Sequence, residues 1–197
     1  MRLFVLTRHA HSTFNAEGRV NGDPAVPVPL TQEGVAEAEQ LGGQLAEVPL
    51  DLCVHTRFQR TRETAAAVLG GRDVPLLEEP LLDDIDVGEL DGETISAYRD
   101  WKRAHPQRGE PFPGGESLDD AARRYATAFR RLLARSEQTT LVVCHEIPIR
   151  YALNGAAGSA DLDRPAHAIP NATPYLFDAE SLARAAAGVE LAARPSG

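Results

Sequence analysis

Residues 2–15 of the chain read RLFVLTRHAHSTFN. Leu3 to Leu6 form an apolar run without polar alternation, which is typical of a strand covered on both faces of a parallel sheet. Polar residues follow at once, beginning with Arg8 and His9. In α/β sheets, ligands bind at the carboxyl ends of the strands. The stretch therefore predicts the fold class and also the edge of the sheet where a functional site is expected.

The rest of the chain alternates strand-like and helix-like segments. Strands are predicted at LDLCVHT (50–56) and TTLVVCH (139–145), and helices at 32–47, 57–70, 94–104, 117–136 and 148–158. Residues 172–178 and 188–194 are predicted to form a closing antiparallel pair. The alternation predicts a three-layer α/β/α sandwich with a mainly parallel sheet and an antiparallel edge strand.

Composition limits the classes of partner. The chain has 197 residues, and we expect one domain over residues 1–197 with a loop-rich insertion at about 72–116. The net charge of −9 argues against nucleic acid and membranes as partners.

Cys53 and Cys144 lie in apolar runs and are expected to be buried and reduced, which fits the cytoplasm. We predict neither a signal peptide nor a membrane helix, and the sequence predicts no oligomeric state.

Histidines and arginines follow the ends of three predicted strands. Arg8 and His9 follow the first strand, Arg60 follows the second, and His145 follows the third. A neutral imidazole can attack phosphorus, and guanidinium groups bind phosphate oxygens. A leaving oxygen also needs a proton donor, for which a carboxylic acid with a raised pKa is suited. The acids of LLDDIDVGELDG (81–92) are candidates, and composition alone does not choose among them.

Six segments, in order, resemble the histidine phosphatase superfamily, also called the phosphoglycerate mutase-like family. TRHAHSTFN (7–15) is similar to R-H-G-x-T/S-x-x-N, PLTQEGVAEAEQL (29–41) to P-L-T-x-x-G-x-x-Q-A, and HTRFQRTRETA (55–65) to S-x-L-x-R-A-x-x-T-A. LLDDIDVGELDG (81–92) is similar to L-x-E-x-x-x-G-x-x-E-G, FPGGESL (112–118) to P-G-G-E-S-x, and LVVCHEIPIR (141–150) to V-V-S-H-G-x-x-I-R. The resemblance covers nearly all of residues 2–178 and implies a phosphoglycerate mutase-like fold.

The resemblance implies a role for each matching residue. His9 matches the nucleophile that becomes phosphohistidine, and Asp84 matches the proton donor four residues before Gly88. The remaining matches are expected to bind phosphate or line the substrate side: Arg8, Arg60, His145, Ser12, Asn15, Asn21 and Gly22.

Three residues depart from the family pattern. Ala10 replaces a glycine, so the turn after His9 must tolerate a Cβ atom. Asp84 replaces a glutamate and is one methylene shorter, which leaves Asp83 and Asp86 as possible substitutes. Glu146 replaces a glycine after His145, where its carboxylate would repel a second anionic group on the substrate or pair with an arginine.

The expected activity is metal-independent hydrolysis of a small phosphomonoester through phosphohistidine, without a cofactor. The short middle segment favours a phosphatase over a mutase. Phosphoglycerate mutase-type transfer and a catalytically inactive protein that binds a phosphorylated ligand remain as alternatives.

A metal site beginning at His9 and His11 is disfavoured because no further spaced ligands follow. His55, His105 and His167 are interpreted as structural or exposed.

Overall fold

The computed structural model describes residues 2–193. Five strands form one sheet: β1 (Leu3–Arg8), β2 (Leu52–His55), β3 (Leu76–Glu78), β4 (Thr139–Cys144) and β5 (Pro174–Asp178). The strand order is β3-β2-β4-β1-β5, and every pairing is parallel except that of β5 with β1. The predicted mainly parallel sheet with an antiparallel edge strand is confirmed.

The connections between the strands are helical. The α-helices are α1 (Thr13–Glu17), α2 (Gln32–Gln44), α3 (Gln59–Leu69), α4 (Ile95–Ala104), α5 (Leu118–Ala134), α6 (Glu146–Ala156) and α7 (Ala179–Ala192). Two short 3₁₀ helices span Pro80–Leu82 and Gly88–Leu90. Within residues 2–193, no helix is both long and apolar enough to cross a membrane.

The two faces of the sheet pack against different helices. Phe4 and Leu6 of β1 belong to a buried cluster that includes Phe129 of α5 and residues of α6 and α7. Val5, between them, belongs to a second cluster with Leu41 of α2 and Val68 of α3. Because side chains alternate between the faces of a strand, both faces need apolar residues here. This arrangement explains the unbroken apolar run at Leu3 to Leu6 and forms the three predicted layers.

The C-terminal segment corrects one prediction. Residues 188–192 belong to α7 rather than to a strand, and residue 194 lies outside the described residues. Asp178 caps this helix through the backbone N–H of Ser181 (2.7 Å). Gly188 lies where α7 crosses α6, and a Cβ atom there would meet the carbonyl oxygen of Gly155 at 2.4 Å. Gly188, which was predicted to begin a strand, therefore permits close helix packing.

The strand order brings together the carboxyl ends of the three strands that carry the predicted site residues. β4 pairs with β1 on one side and with β2 on the other, so it lies between them. The carboxyl ends of these three strands are at Arg8, His55 and Cys144. Residues that follow each strand are therefore neighbours although they are far apart in the chain. Short elements that the sequence did not predict, α1 and β3, also lie between these strands in the chain.

Candidate active site

His9 is held at the end of β1 by two backbone hydrogen bonds. Its N–H donates to the carbonyl of Cys144 (2.9 Å), and its Nδ1 lies 2.8 Å from the carbonyl oxygen of Ala10. Because a carbonyl only accepts, Nδ1 carries the proton and Nε2 keeps its lone pair. Burial, and then the charges of Arg60 and Arg8, lower the pKa of His9 well below its ordinary value. The ring is therefore a neutral imidazole beside the cavity that it lines.

Two side chains fix the peptide unit that joins His9 to Ala10. The hydroxyl of Thr64 accepts from the N–H of Ala10 (2.9 Å), and Nδ2 of Asn171 donates to the carbonyl of His9 (2.6 Å). Sequence reasoning missed Asn171, because nothing in a loop 162 residues away links it to His9. Only the pairing of β5 beside β1 brings that loop to the site.

The backbone at Ala10 accommodates the extra methyl group. Among the described residues, the non-glycine position with positive φ is Ala172, so Ala10 lies outside the left-handed region. Its side chain is fully buried in the cluster formed with α2 and α3. The turn after His9 is thus one that tolerates a Cβ atom, as expected.

Arg60 lies in the first turn of α3 and is almost completely buried. Its guanidinium donates to the side chain and backbone carbonyls of Asn21, and Nη2 lies 3.3 Å from Oδ2 of Asp84. The guanidinium carbon lies 4.3 Å from the centre of the Phe58 ring. Burial lowers the pKa of Arg60 to about 10, while Asp84 acts in the opposite direction. Arg60 therefore stays positively charged at neutral pH.

His145 is the N-cap residue of α6 and has no solvent exposure. Nη2 of Arg60 donates to its Nδ1 (3.3 Å), so Nε2 carries the proton and lies 3.0 Å from Oγ1 of Thr56. Burial, followed by the charge of Arg60, lowers the pKa of His145 well below its ordinary value. The His145 and His9 rings meet edge to face, with centroids 5.5 Å apart. His145 is therefore neutral at ordinary pH, and a phosphate dianion beside it would favour its protonation.

The structure distinguishes the candidate acids. Asp84 lines the cavity with His9. Asp83 instead accepts from the backbone N–H and Nε of Arg57 (3.0 and 2.5 Å), and exposed Asp86 caps the N–H of Gly88 (2.9 Å). Neither Asp83 nor Asp86 lines the His9 cavity.

Burial raises the pKa of Asp84, although the charge of Arg60 opposes this shift. The charge of Glu146 contributes a smaller shift in the same direction as burial. A carboxyl group with a raised pKa can hold a proton at mildly acidic pH and donate it to a leaving oxygen.

Arg8 joins the cavity to the start of α6. Its Nη1 donates to the carbonyl of Ile169 (3.0 Å) and lies 3.2 Å from Oε2 of Glu146. Glu146 also pairs with Arg150 one turn along α6. The expectation that Glu146 pairs with an arginine is met twice, and all three side chains line the cavity.

The other matched polar residues divide into two groups. Ser12 and Asn15 line the cavity and cap each other at the start of α1, and Asn21 lines it while binding Arg60. Gly22 does not line it. Its N–H donates to Oδ1 of Asp91 (2.6 Å), and a Cβ atom there would lie 2.3 Å from the carbonyl oxygen of Ile85. Gly22 therefore serves close backbone packing beside the site.

The cavity has a volume of about 320 Å³ and a wall that the motifs did not predict. The additional lining residues are mostly apolar: Phe14, Val20, Ile85, Val87, Ile95, Tyr98 and Ile147, with Arg19 and Arg99. Tyr98 also stacks on Phe112, with ring centroids 5.6 Å apart. Part of this wall depends on backbone hydrogen bonds that join the segment after α1 to the start of α4, from Val20 N–H to the Glu93 carbonyl (2.9 Å) and from Ile95 N–H to the Gly18 carbonyl (2.8 Å). The sequence carries no short motif for this contact.

Other histidines have separate contacts. Nδ1 of His11 lies 3.0 Å from Oγ1 of Thr31, outside the cavity lining. Nδ1 of His55 is hydrogen-bonded to the carbonyl oxygen of Thr56. Nδ1 of His105 pairs with the carboxylate of Glu110, and Nε2 of His167 is hydrogen-bonded to Oδ1 of Asn154. Within residues 2–193, no cluster of three or more His, Cys, Asp or Glu side chains is placed to hold a metal ion.

The arrangement is that of a phosphate-transferring α/β protein: a neutral histidine, two arginines and a protonatable carboxyl group share one cavity at the strand ends. The chain belongs to the histidine phosphatase superfamily, because residues 4–186 match branch 1 of that family. The resemblance seen in the sequence is therefore confirmed.

Similar proteins include both mutases and phosphatases. The chain is 34% identical over 168 residues to 2,3-bisphosphoglycerate-dependent phosphoglycerate mutase 2 of Gloeobacter violaceus, covering 78% of this chain and 74% of that protein. It is 33% identical over 159 residues to adenosylcobalamin/alpha-ribazole phosphatase of Salmonella typhimurium, covering 74% of each. The solved structure of YhfR from Bacillus stearothermophilus has a TM-score of 0.80 at 26% identity, with 90% of this chain and 91% of that chain covered.

Proposed function

We propose that the protein is a metal-independent phosphomonoester hydrolase that forms a phosphohistidine on His9. The observation that carries this proposal is the state of His9. Its Nδ1 is bound to the Ala10 carbonyl, which leaves a neutral Nε2 in a cavity with Arg8, Arg60 and Asp84. A nucleophile, positive charge and a proton donor are the three requirements of phosphoryl transfer from an ester.

In the first step, Nε2 of His9 attacks the phosphorus atom. The N–P bond forms as the P–O bond to the alcohol breaks, and Asp84 gives its proton to the departing oxygen. Arg8 and Arg60 stabilise the charge on the phosphoryl oxygens. The Ala10 carbonyl, 2.8 Å from Nδ1, stabilises the positive charge that the ring acquires.

In the second step, water attacks the phosphorus atom of the phosphohistidine. The Asp84 carboxylate takes a proton from that water, the N–P bond breaks, and the electron pair returns to Nε2. Inorganic phosphate leaves, and both His9 and Asp84 recover their starting protonation states. The same carboxyl group thus acts as acid and then as base.

Hydrolysis of p-nitrophenyl phosphate by the wild type and by His9→Ala tests the proposal. We expect the variant to lose activity by at least about 10³-fold, because it lacks the nucleophile. The matched control is His11→Ala, since His11 lies two residues away but does not line the cavity. Absence of wild-type turnover at every pH between about 4 and 8 would favour a phospho-ligand binding protein instead.

A covalent intermediate and metal independence are separate requirements. Quenched reactions should contain acid-labile, base-stable phosphate on wild-type protein and none on His9→Ala. Activity should persist in excess EDTA, because Arg8 and Arg60 supply the positive charge. Activity that EDTA removes and zinc or magnesium restores would contradict this mechanism.

Phosphoglycerate mutase activity is the second candidate, and the 34% identity to the Gloeobacter violaceus mutase favours it. A mutase returns the phosphoryl group to a reoriented substrate, whereas a phosphatase passes it to water. Incubation with 3-phosphoglycerate and 2,3-bisphosphoglycerate separates these fates. Formation of 2-phosphoglycerate faster than inorganic phosphate would identify a mutase.

A further inference from the structure

We propose that Glu146 makes the enzyme selective for phosphomonoesters whose alcohol portion carries no second anionic group near the ester. This inference rests on the proposed phosphatase function. It concerns the side of the cavity next to the phosphate position, where the alcohol portion of the substrate must lie.

Glu146 connects two arginines across the cavity wall. Its Oε2 lies 3.2 Å from Nη1 of Arg8, and its Oε1 pairs with Nη2 of Arg150. The three side chains are partly shielded, with exposed fractions of 36% for Glu146 and 20% for each arginine. One carboxylate therefore occupies hydrogen-bonding positions on two guanidinium groups that would otherwise face the substrate.

The position of Glu146 means that its pairing with the two arginines affects the charge that a substrate meets. It follows His145 directly and begins α6, so it lies beside the phosphate-binding side chains. Arg8 lines the cavity, and its contacts with Ile169 and Glu146 both use Nη1, which leaves Nη2 to bind the transferring phosphate. Arg150 lines the same cavity and pairs with Glu146, so it is the cation that could bind a second anion. Glu146 neutralises it and presents its own negative charge to that anion.

The rest of the wall favours an uncharged alcohol portion. Phe14, Val20, Ile95 and Tyr98 present apolar surface to the cavity. Two other cations, Arg19 and Arg99, line the cavity. The guanidinium carbon of Arg19 lies 5.7 Å from the centre of the Phe14 ring, and its Nη1 lies 3.7 Å from Oε2 of Glu17. Arg99 is exposed on α4. Apart from Arg60 and Asp84, which act at the phosphate itself, the charged side chains left to meet the alcohol portion are therefore those that Glu146 joins.

Glycerol 3-phosphate and 3-phosphoglycerate provide a matched pair of probes, because they differ only by a hydroxymethyl group against a carboxylate. For the wild type, kcat/KM should be at least about tenfold higher for glycerol 3-phosphate, since like charges side by side are costly. Glu146→Gln should reduce this preference at least about tenfold, mainly by lowering KM for 3-phosphoglycerate.

Two further variants identify the cause. Adding Arg150→Met to Glu146→Gln should restore most of the preference, because it removes the cation that binds the carboxylate. Glu180→Gln is the matched control: Glu180 also pairs with an arginine one turn along its helix, but it is 83% exposed and outside the cavity. It should leave the ratio unchanged.

Binding measurements keep the test available if a variant turns over too slowly. In the His9→Ala background, the ratio of dissociation constants for the two probes should change with Glu146→Gln in the same direction. A wild-type preference for 3-phosphoglycerate, or a ratio unaffected by Glu146→Gln, would overturn the inference. Absent turnover of p-nitrophenyl phosphate would overturn the proposed function, while the binding ratio would still report on Glu146.

Discussion

The carboxylate of Asp84 lies between Arg60 and His145, with Oδ2 3.3 Å from Nη2 of Arg60 and 3.4 Å from Nδ1 of His145. The charge of Arg60 lowers the pKa of this carboxyl group, yet burial is the larger influence and the pKa of Asp84 is raised. This balance makes Asp84 a group that can both donate and accept a proton within one catalytic cycle.

Replacing Asp84 by asparagine should separate good leaving groups from poor ones. We expect Asp84→Asn to lower kcat/KM about 10²–10⁴-fold for glycerol 3-phosphate, whose alkoxide needs a proton. The loss for p-nitrophenyl phosphate should be about tenfold or less, because p-nitrophenolate leaves without one. Asp86→Asn is the matched control, since Asp86 is exposed and outside the cavity. Equal losses for the two substrates would rule out Asp84 as the acid.

We expect the pH optimum of the activity to lie on the acidic side of neutrality. His9 must be unprotonated to act as the nucleophile. Because its pKa is lowered, it stays unprotonated at pH values below the ordinary pKa of histidine. Asp84 must be protonated in the first step, so kcat/KM should fall as the pH rises above its raised pKa. The measurement is a profile of kcat/KM for glycerol 3-phosphate in the wild type and in Asp84→Asn. The alkaline fall should disappear in the variant; its persistence would assign that limb to another group.

Arg124 should act as a positioning residue for the acid. Its guanidinium donates to the backbone carbonyls of Asp83 (2.7 Å) and Asp84 (2.8 Å) and pairs with Glu116. Arg124→Met should therefore loosen the loop and lower kcat for glycerol 3-phosphate about tenfold or more, with a smaller effect on p-nitrophenyl phosphate. Since Glu116 also loses its partner, Tm should fall by roughly 5 °C.

Arg130→Met provides the control for Arg124. Arg130 lies on the same helix, but it is 47% exposed and pairs with Glu190 away from the site. Its replacement should leave the ratio of the two substrates unchanged. If Arg124→Met lowered Tm but slowed both substrates equally, its role would be structural only.

Asn171 should position the nucleophile. Asn171→Asp keeps the size of the side chain but replaces the Nδ2 donor, 2.6 Å from the His9 carbonyl, with an oxygen. Loss of one hydrogen bond, about 1 kcal/mol, and the added repulsion predict a fall in kcat of roughly tenfold. KM should change less, because Asn171 does not line the cavity.

The control for Asn171 is Gln138→Glu. Gln138 also donates its side-chain amide to a backbone carbonyl, that of Ser136 (3.1 Å), but it is exposed and precedes β4. It should leave kcat unchanged. A rise in KM without a change in kcat for Asn171→Asp would contradict a positioning role.

Local sequence patterns predicted the layers and most elements, because buried strands and amphipathic helices impose different spacings on apolar residues. The same reasoning misassigned residues 188–192, which were predicted to form a strand and belong to α7. Contact of Gly188 with Gly155 on α6 decides that segment, and such a contact leaves no mark within a short window.

The family and the placement of Arg8, His9, Arg60 and His145 near strand ends could be read from the sequence, because each ends a strand, follows one, or lies in the first turn of the next helix. The resemblance pointed to Asp84 and left Asp83 as a possible substitute, whereas the folded structure places Asp84 and not Asp83 in the cavity lining with His9, since Arg57 binds Asp83. The neutral state of His9 and the pairing of Glu146 with Arg8 are also tertiary properties. Both depend on burial and on charges contributed by separate parts of the chain, and these quantities exist only once the strands have paired.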